Sequence, residues 1–92
     1  YVIRVDNTAM EPQIRKDAFV GVDTDKRHVS SGELYAVNVP YEGVVIKRAF
    51  VDAQNGQLLL RTDHAEHPEL SMSLKAHEEH IVGRVIWVMQ RM

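Results

Sequence analysis

The segment Asp6-Asn7-Thr8-Ala9-Met10-Glu11-Pro12 is the stretch from which we predict the fold. Residues 1–5 before it alternate, with Tyr1, Ile3 and Val5 on one face, which predicts a strand of period two. A helix cannot continue far beyond the segment, because a residue that precedes proline is pushed towards extended geometry. We therefore expect the chain to arrive along a strand, make a tight polar turn with Ala9 at its apex, and turn back.

A second stretch, Val44-Val45-Ile46-Lys47-Arg48, is a β-branched strand that contains one lysine. Alternation places Lys47 on the same face as Val45 and Ala49, which are small and apolar. One interpretation is a lysine whose stem crosses a half-buried strand and whose amine reaches water. The other is a buried lysine, because burial disfavours a charged amine and a neutral one can accept a proton from a serine hydroxyl. The residues of this strand alone leave both interpretations open.

Together the two stretches resemble the LexA and phage-repressor family, whose regulatory domain carries a Gly-Asp-Ser-Met-x-Pro turn and a Val-Val-Lys-Arg strand. In that family the serine is the nucleophile and the lysine the general base of a self-cleavage reaction. The resemblance places Lys47 at the general-base position and Ala9 at the nucleophile position, 38 residues apart. It implies further turn and cleft residues at Asn7, Thr8, Met10 and Pro12.

Alanine has no hydroxyl, so we expect no acyl transfer at Ala9, although the peptidase-like fold leaves the question of enzyme activity open. We favour natural loss of the serine, since Asn7 and Thr8 also depart from Gly-Asp. The resemblance then implies a catalytically inactive regulatory and dimerisation domain of a phage-repressor-like or LexA-like transcriptional regulator. The alternative is a self-cleaving Ser-Lys autopeptidase domain of such a repressor that carries an engineered Ser-to-Ala change. A further alternative is a peptide-binding module that clamps an extended partner in the vacant cleft.

The remaining sequence predicts a mainly β protein. Asn55-Gly56 is a strong hairpin signal, and Gly83 predicts a β-bulge or a close backbone approach. The resemblance implies a LexA/signal-peptidase-like fold of short twisted antiparallel sheets, barrel-like or clip-like, in one domain over residues 1–92. Strands are predicted at residues 1–5, 18–23, 34–39, 44–51, 58–61, 70–74 and 81–89.

Composition limits the partners of this chain. Its 92 residues carry a net charge of −2, and its cations are scattered pairs without the clustering expected of a DNA-binding surface. The resemblance implies that operator DNA is contacted only through an N-terminal helix-turn-helix domain, which we expect upstream of Tyr1 because the chain begins without methionine. No apolar run approaches the ~20 residues of a membrane helix. Together with the absence of cysteine, this leads us to expect a cytoplasmic protein without a membrane partner.

The last predicted strand, residues 81–89, is long and rich in β-forming residues. Such a strand pairs either within the monomer or with its copy in a second chain. The resemblance implies a homodimer, possible higher oligomers, and regulation by the RecA filament or an anti-repressor protein. The dimer-interface residues that it implies are Arg84, Val85, Ile86, Trp87 and Val88.

The pairs His64-x-x-His67 and His77-x-x-His80 have a spacing that permits metal binding. Both lie in polar stretches of a chain without cysteine, which favours solvated surface histidines. We expect neither a metal site nor a cofactor.

Overall fold

The computed structural model describes residues 1–5, 10–11, 13–39, 43–63 and 69–91, apart from the side chains of 76–78. The predicted mainly β class is confirmed, and two short helical turns, Leu74–Ala76 (3-10) and His77–His80 (α1), precede the last strand. Each turn is too short to show a helical period in the sequence. The strands are β1 (Val2–Arg4), β2 (Phe19–Asp23), β3 (Leu34–Val39), β4 (Gly43–Asp52), β5 (Gln57–Arg61), β6 (Leu70–Ser73) and β7 (Ile81–Met89).

All seven strands form one antiparallel sheet in the order β1-β2-β7-β3-β4-β5-β6. The sheet is open, because β1 and β6 lie at its two edges. β3, β4, β5 and β6 are neighbours in sequence order, whereas β7 is inserted between β2 and β3. The last strand of the chain therefore connects the β1-β2 pair to the rest of the sheet.

The sheet carries a separate hydrophobic cluster on each face, as alternation along β3 shows. Ala36 belongs to the first cluster, while its neighbours Tyr35 and Val37 belong to the second. The segment that follows the predicted turn contributes Met10, Ile14 and Ala18 to the first cluster. Its members are Val5, Met10, Ile14, Ala18, Val20, Val22, Ala36 and Ile46. The second contains Val29, Tyr35, Val37, Val39, Ala49, Leu58, Leu60 and Ile81.

Gly83 produces both features predicted for it. Ala36 pairs with Gly83 but Val37 pairs with Ile81, so one extra residue is accommodated in β7 as a bulge. A Cβ atom on Gly83 would overlap the backbone carbonyl of Asp23. The close approach of β2 to β7 therefore requires glycine at this position.

The predicted Asn-Gly hairpin is also confirmed. Gly56 has a φ of 64° in the turn between β4 and β5, a conformation that glycine adopts without steric cost. The Asp52 carboxylate accepts hydrogen bonds from the backbone N–H of Asn55 at 3.3 Å and from its side-chain amide at 2.8 Å. The turn that returns the chain from the lysine strand is thus fixed by its own sequence.

Within the residues that the structure describes, no helix has the length and apolar character needed to cross a membrane.

Candidate functional site

Lys47 lies in the middle of β4, directly opposite Tyr35 of β3. Only 8% of the residue is exposed, and among the described residues no other polar or charged one belongs to the buried class. Its strand neighbours on the same face, Val45 and Ala49, pack with the second cluster. Lysine is seldom buried to this degree. Of the two interpretations drawn from the strand, this exposure is closer to a buried lysine than to one whose amine reaches water.

No carboxylate of the described residues forms an ion pair with Lys47. The four ion pairs that the structure shows there join other residues. A buried amine without a neighbouring carboxylate is the arrangement that lysine needs in order to act as a general base. The general-base role that the resemblance implies for Lys47 stays a prediction.

Met10, which directly follows the predicted apex residue Ala9, packs against β4. It is buried in the first cluster together with Ile46, the residue before Lys47. Met10, Val44 and Ile46 also line one small pocket beside β1. The chain just after the turn thus packs beside the first half of the lysine strand, on the face opposite to that of Lys47.

The other predicted cleft residues, Asn7, Thr8, Ala9 and Pro12, lie outside the described residues. The juxtaposition of Ala9 and Lys47 therefore stays a prediction.

Arg48, next to Lys47, makes more side-chain hydrogen bonds than sequence reasoning anticipated. Its Nε and Nη2 atoms donate to the two carboxylate oxygens of Asp63, both at 3.1 Å. Nη1 donates to the Gly32 carbonyl at 2.7 Å, and Nη2 also donates to Gln13 Oε1 at 2.6 Å. The hydrogen bonds from Arg48 to Asp63 raise the pKa of the guanidinium above its ordinary value. Arg48 therefore stays charged, and the only hint of it in the sequence is its place beside the lysine.

The predicted dimer strand is paired within the monomer on one edge and only partly on the other. Arg84–Met89 pair with β2, whereas pairing with β3 covers only Ile81–Arg84. In the described part of the chain, the edge that faces away from β2 has no strand partner beyond Arg84. The side chains exposed along this half of β7 are Ile86, Trp87, Val88 and Met89.

Arg84 and Trp87 both make contacts within the single chain. Arg84 forms an ion pair with Glu33 at 3.1 Å. Trp87 is 42% exposed, and its indole lies over Gly21, its partner on β2. A Cβ atom on Gly21 would overlap the indole, so the flat contact depends on glycine.

Replacing Gly21 by alanine should displace the indole of Trp87 into water, because the clash is with a movable, half-exposed side chain. We expect a red-shifted tryptophan emission and a loss of about 1 kcal/mol in the free energy of unfolding. Trp87 is the only tryptophan in the sequence, so its fluorescence reports this site alone. An unchanged emission spectrum would show that the ring does not rest on Gly21.

No group of three or more His, Cys, Asp and Glu side chains that could hold a metal occurs among the described residues. His64 and His67 lie outside them, and the side chain of His77 is not described. The expectation that these histidines bind no metal stays untested.

The antiparallel sheet and the buried lysine strand are accompanied by a match to a known family. The family described as Peptidase S24-like matches residues 1–86. The chain belongs to this family, which confirms the resemblance drawn from the turn and the lysine strand.

The chain is also similar to the HTH-type transcriptional regulator PrtR of Pseudomonas aeruginosa. The two are 26% identical over 88 residues, which is 91% of this chain and 34% of the regulator. The chain thus spans about a third of the length of the curated relative it matches.

Proposed function

We propose that this chain is the regulatory and dimerisation domain of a LexA-like or phage-repressor-like transcriptional regulator. Membership of the Peptidase S24-like family and similarity to an HTH-type regulator support the regulatory role. The observation that carries the dimerisation role is the open edge of β7 beyond Arg84, lined by exposed apolar side chains.

In the proposed dimer, residues 85–89 of two copies pair with each other in antiparallel fashion. A two-fold axis places the same strand on both sides of the interface, so each exposed side chain contributes twice. The pairing satisfies backbone groups that the monomer leaves to water. A long exposed edge strand is a liability for aggregation, and specific pairing with one copy removes it.

The domain would act on DNA indirectly. Operator contacts would come from a helix-turn-helix domain outside this chain, and dimerisation would bring two such domains to the two half-sites of an operator. Linking them raises the effective concentration of the second domain once the first has bound. Loss of the β7 contact would therefore weaken operator binding without any change in the DNA-binding residues.

The same domain would be catalytically inactive, because Ala9 offers no nucleophile to the buried Lys47. Release from the operator would then depend on a protein partner, such as an anti-repressor, that binds the domain and competes with dimerisation. Cleavage stimulated by the RecA filament requires the missing hydroxyl. The residue at position 9 is the reason for proposing a protein partner in place of self-cleavage.

Restoring the hydroxyl by Ala9→Ser tests whether only the nucleophile is missing. We expect the longer precursor that carries Ala9→Ser to remain intact during incubation at alkaline pH, because Asn7 and Thr8 also differ from the family turn. Electrophoresis and intact mass measure the result. Self-cleavage that disappears when Lys47→Ala is added would establish the alternative, an autopeptidase domain with an engineered alanine.

Sedimentation velocity of the purified chain tests the dimerisation role. A concentration-dependent shift from monomer to dimer, complete well above micromolar concentration, is the expected result. A chain that remains monomeric throughout this range does not have the proposed role.

A further inference from the structure

We infer that Arg48 is a positioning residue that fixes the segments surrounding the lysine strand. Its guanidinium binds three segments that are far apart in sequence: Gln13, the turn at Gly32, and the loop at Asp63. This inference concerns the arrangement around Lys47 and does not depend on dimerisation. No role for Arg48 beyond its place in the motif follows from the sequence.

The geometry requires arginine at this position. The planar guanidinium directs several N–H donors along fixed directions, so it can engage a carboxylate with two parallel bonds while donating to other acceptors. Lysine carries its charge on a single nitrogen and cannot reproduce this fork. The side chains of Arg48 and Asp63 are only 24% and 23% exposed, so solvent screens this pair less than it screens an exposed ion pair.

Gln13 connects Arg48 to Gln90, the residue that follows β7. Its side chain accepts a hydrogen bond from Arg48, and its backbone carbonyl accepts one from Gln90 Nε2 at 3.1 Å. Gln90 Oε1 in turn accepts from the backbone N–H of Arg15 at 2.9 Å. The segment that follows the predicted turn is therefore held from β4 at one point and from the end of β7 at another.

Because Gln13 directly follows the segment 6–12, the Arg48–Gln13 contact sets where the chain leaves the predicted turn. The Gly32 contact adds to two backbone hydrogen bonds that join the turn before β3 to Ala49 of β4, from Gly32 N–H to the Ala49 carbonyl at 2.7 Å and from Ala49 N–H to the Glu33 carbonyl at 3.0 Å. The Asp63 contact sets the loop that follows β5. Arg48 thus binds three chain segments that adjoin the lysine strand, while Lys47 itself makes no ion pair with the described residues.

Arg61 provides a matched control, because it lies directly opposite Arg48 on the neighbouring strand. Its guanidinium forms one ion pair, with Glu69 at 2.9 Å, and stacks over the ring of Phe50. The Arg61 side chain is 52% exposed. Arg61→Lys therefore makes the same arginine-to-lysine replacement on the adjacent strand. It leaves the hydrogen bonds of Arg48 to Gln13, Gly32 and Asp63 in place.

Hydrogen exchange resolved by residue tests the inference in the chain as it stands. Arg48→Lys should accelerate exchange about tenfold at the amides of Ile14, Arg15 and Glu33, which matches the loss of a charge-assisted hydrogen bond. Arg61→Lys should leave these amides unchanged. Gln13→Ala, at an exposed position, should reproduce the acceleration at Ile14 and Arg15 but not at Glu33.

The NMR chemical shifts of the Lys47 side chain provide a second measurement. General destabilisation does not change them as long as the chain is fully folded. Arg48→Lys should shift the Cε and Hε resonances of Lys47 under conditions in which the chain is fully folded, and Arg61→Lys should not. Two results would overturn the inference. One is exchange that rises equally in every strand, and the other is a Lys47 signal that responds alike to both variants. Failure of dimerisation in sedimentation would leave these measurements unaffected.

Discussion

Replacing Gly83 by alanine is expected to lower the free energy of unfolding by about 3 kcal/mol, at the upper end of the range for overpacked sites. The added Cβ would overlap the backbone carbonyl of Asp23 on the neighbouring strand. Backbone atoms of a paired strand cannot move aside as the tip of a side chain can. Urea unfolding at fixed protein concentration measures the change.

Gly21→Ala is the natural comparison for Gly83→Ala, because both add one methyl group to the same pair of strands. At Gly21 the obstacle is the indole of Trp87, which can swing into water. The free energies of unfolding of the two variants should therefore differ by about 2 kcal/mol, with Gly83→Ala the less stable. Equal stabilities would contradict the close approach of β2 and β7 at Gly83.

Replacing Val88 by lysine is expected to raise the dissociation constant of the proposed dimer at least about 100-fold. The symmetry of the interface brings two added charges together beside the two-fold axis, and each must lose water when the strands pair. Val88 is 38% exposed in the single chain. The monomer should therefore lose little stability, within about 0.5 kcal/mol for an exposed site.

Val51 on β4 supplies the control for Val88. It is a valine of nearly equal exposure, 37%, on a different strand of the same sheet. Val51→Lys adds the same charge to the chain but should leave the dissociation constant within about twofold of the original. If the two variants weaken association equally, net charge and not the β7 edge controls it.

The sequence predicted the strands well where apolar runs end at turn residues. Residues 34–39 and 81–89 agree with β3 and β7 at both ends, and Asn55-Gly56 marked its hairpin correctly. Gly83 was informative because an isolated glycine in a long β-rich strand has few explanations other than a bulge or a close contact. Each of these signals is local and needs no knowledge of the strand order.

The strand order was not predictable in this way. The insertion of β7 between β2 and β3 depends on contacts between residues far apart in sequence, such as Gly21 with Trp87 and Ala36 with Gly83. No local pattern specifies such pairings. The open edge beyond Arg84 is a consequence of this order, so alternation along residues 81–89 left pairing within the monomer and pairing between copies equally open.

At the candidate site, too, local features were predictable from the sequence and long-range contacts were not. Alternation placed Lys47 beside Val45 and Ala49, but only the family resemblance singled it out from other strand lysines. Arg48 was missed because its partners Gln13 and Asp63 are 35 and 15 residues away in sequence. Their approach to one guanidinium is a product of the folded sheet.

A cysteine scan along β7 tests the proposed dimer most directly, because the chain has no cysteine of its own. A single cysteine is placed in turn at each of positions 85–89, and disulfide-linked dimers are measured after mild oxidation. We predict rapid linkage at one or two positions near the two-fold axis, where facing Cβ atoms come within disulfide range, and none for Val51→Cys. Linkage no faster at any of the five positions than at Val51→Cys would contradict pairing through β7.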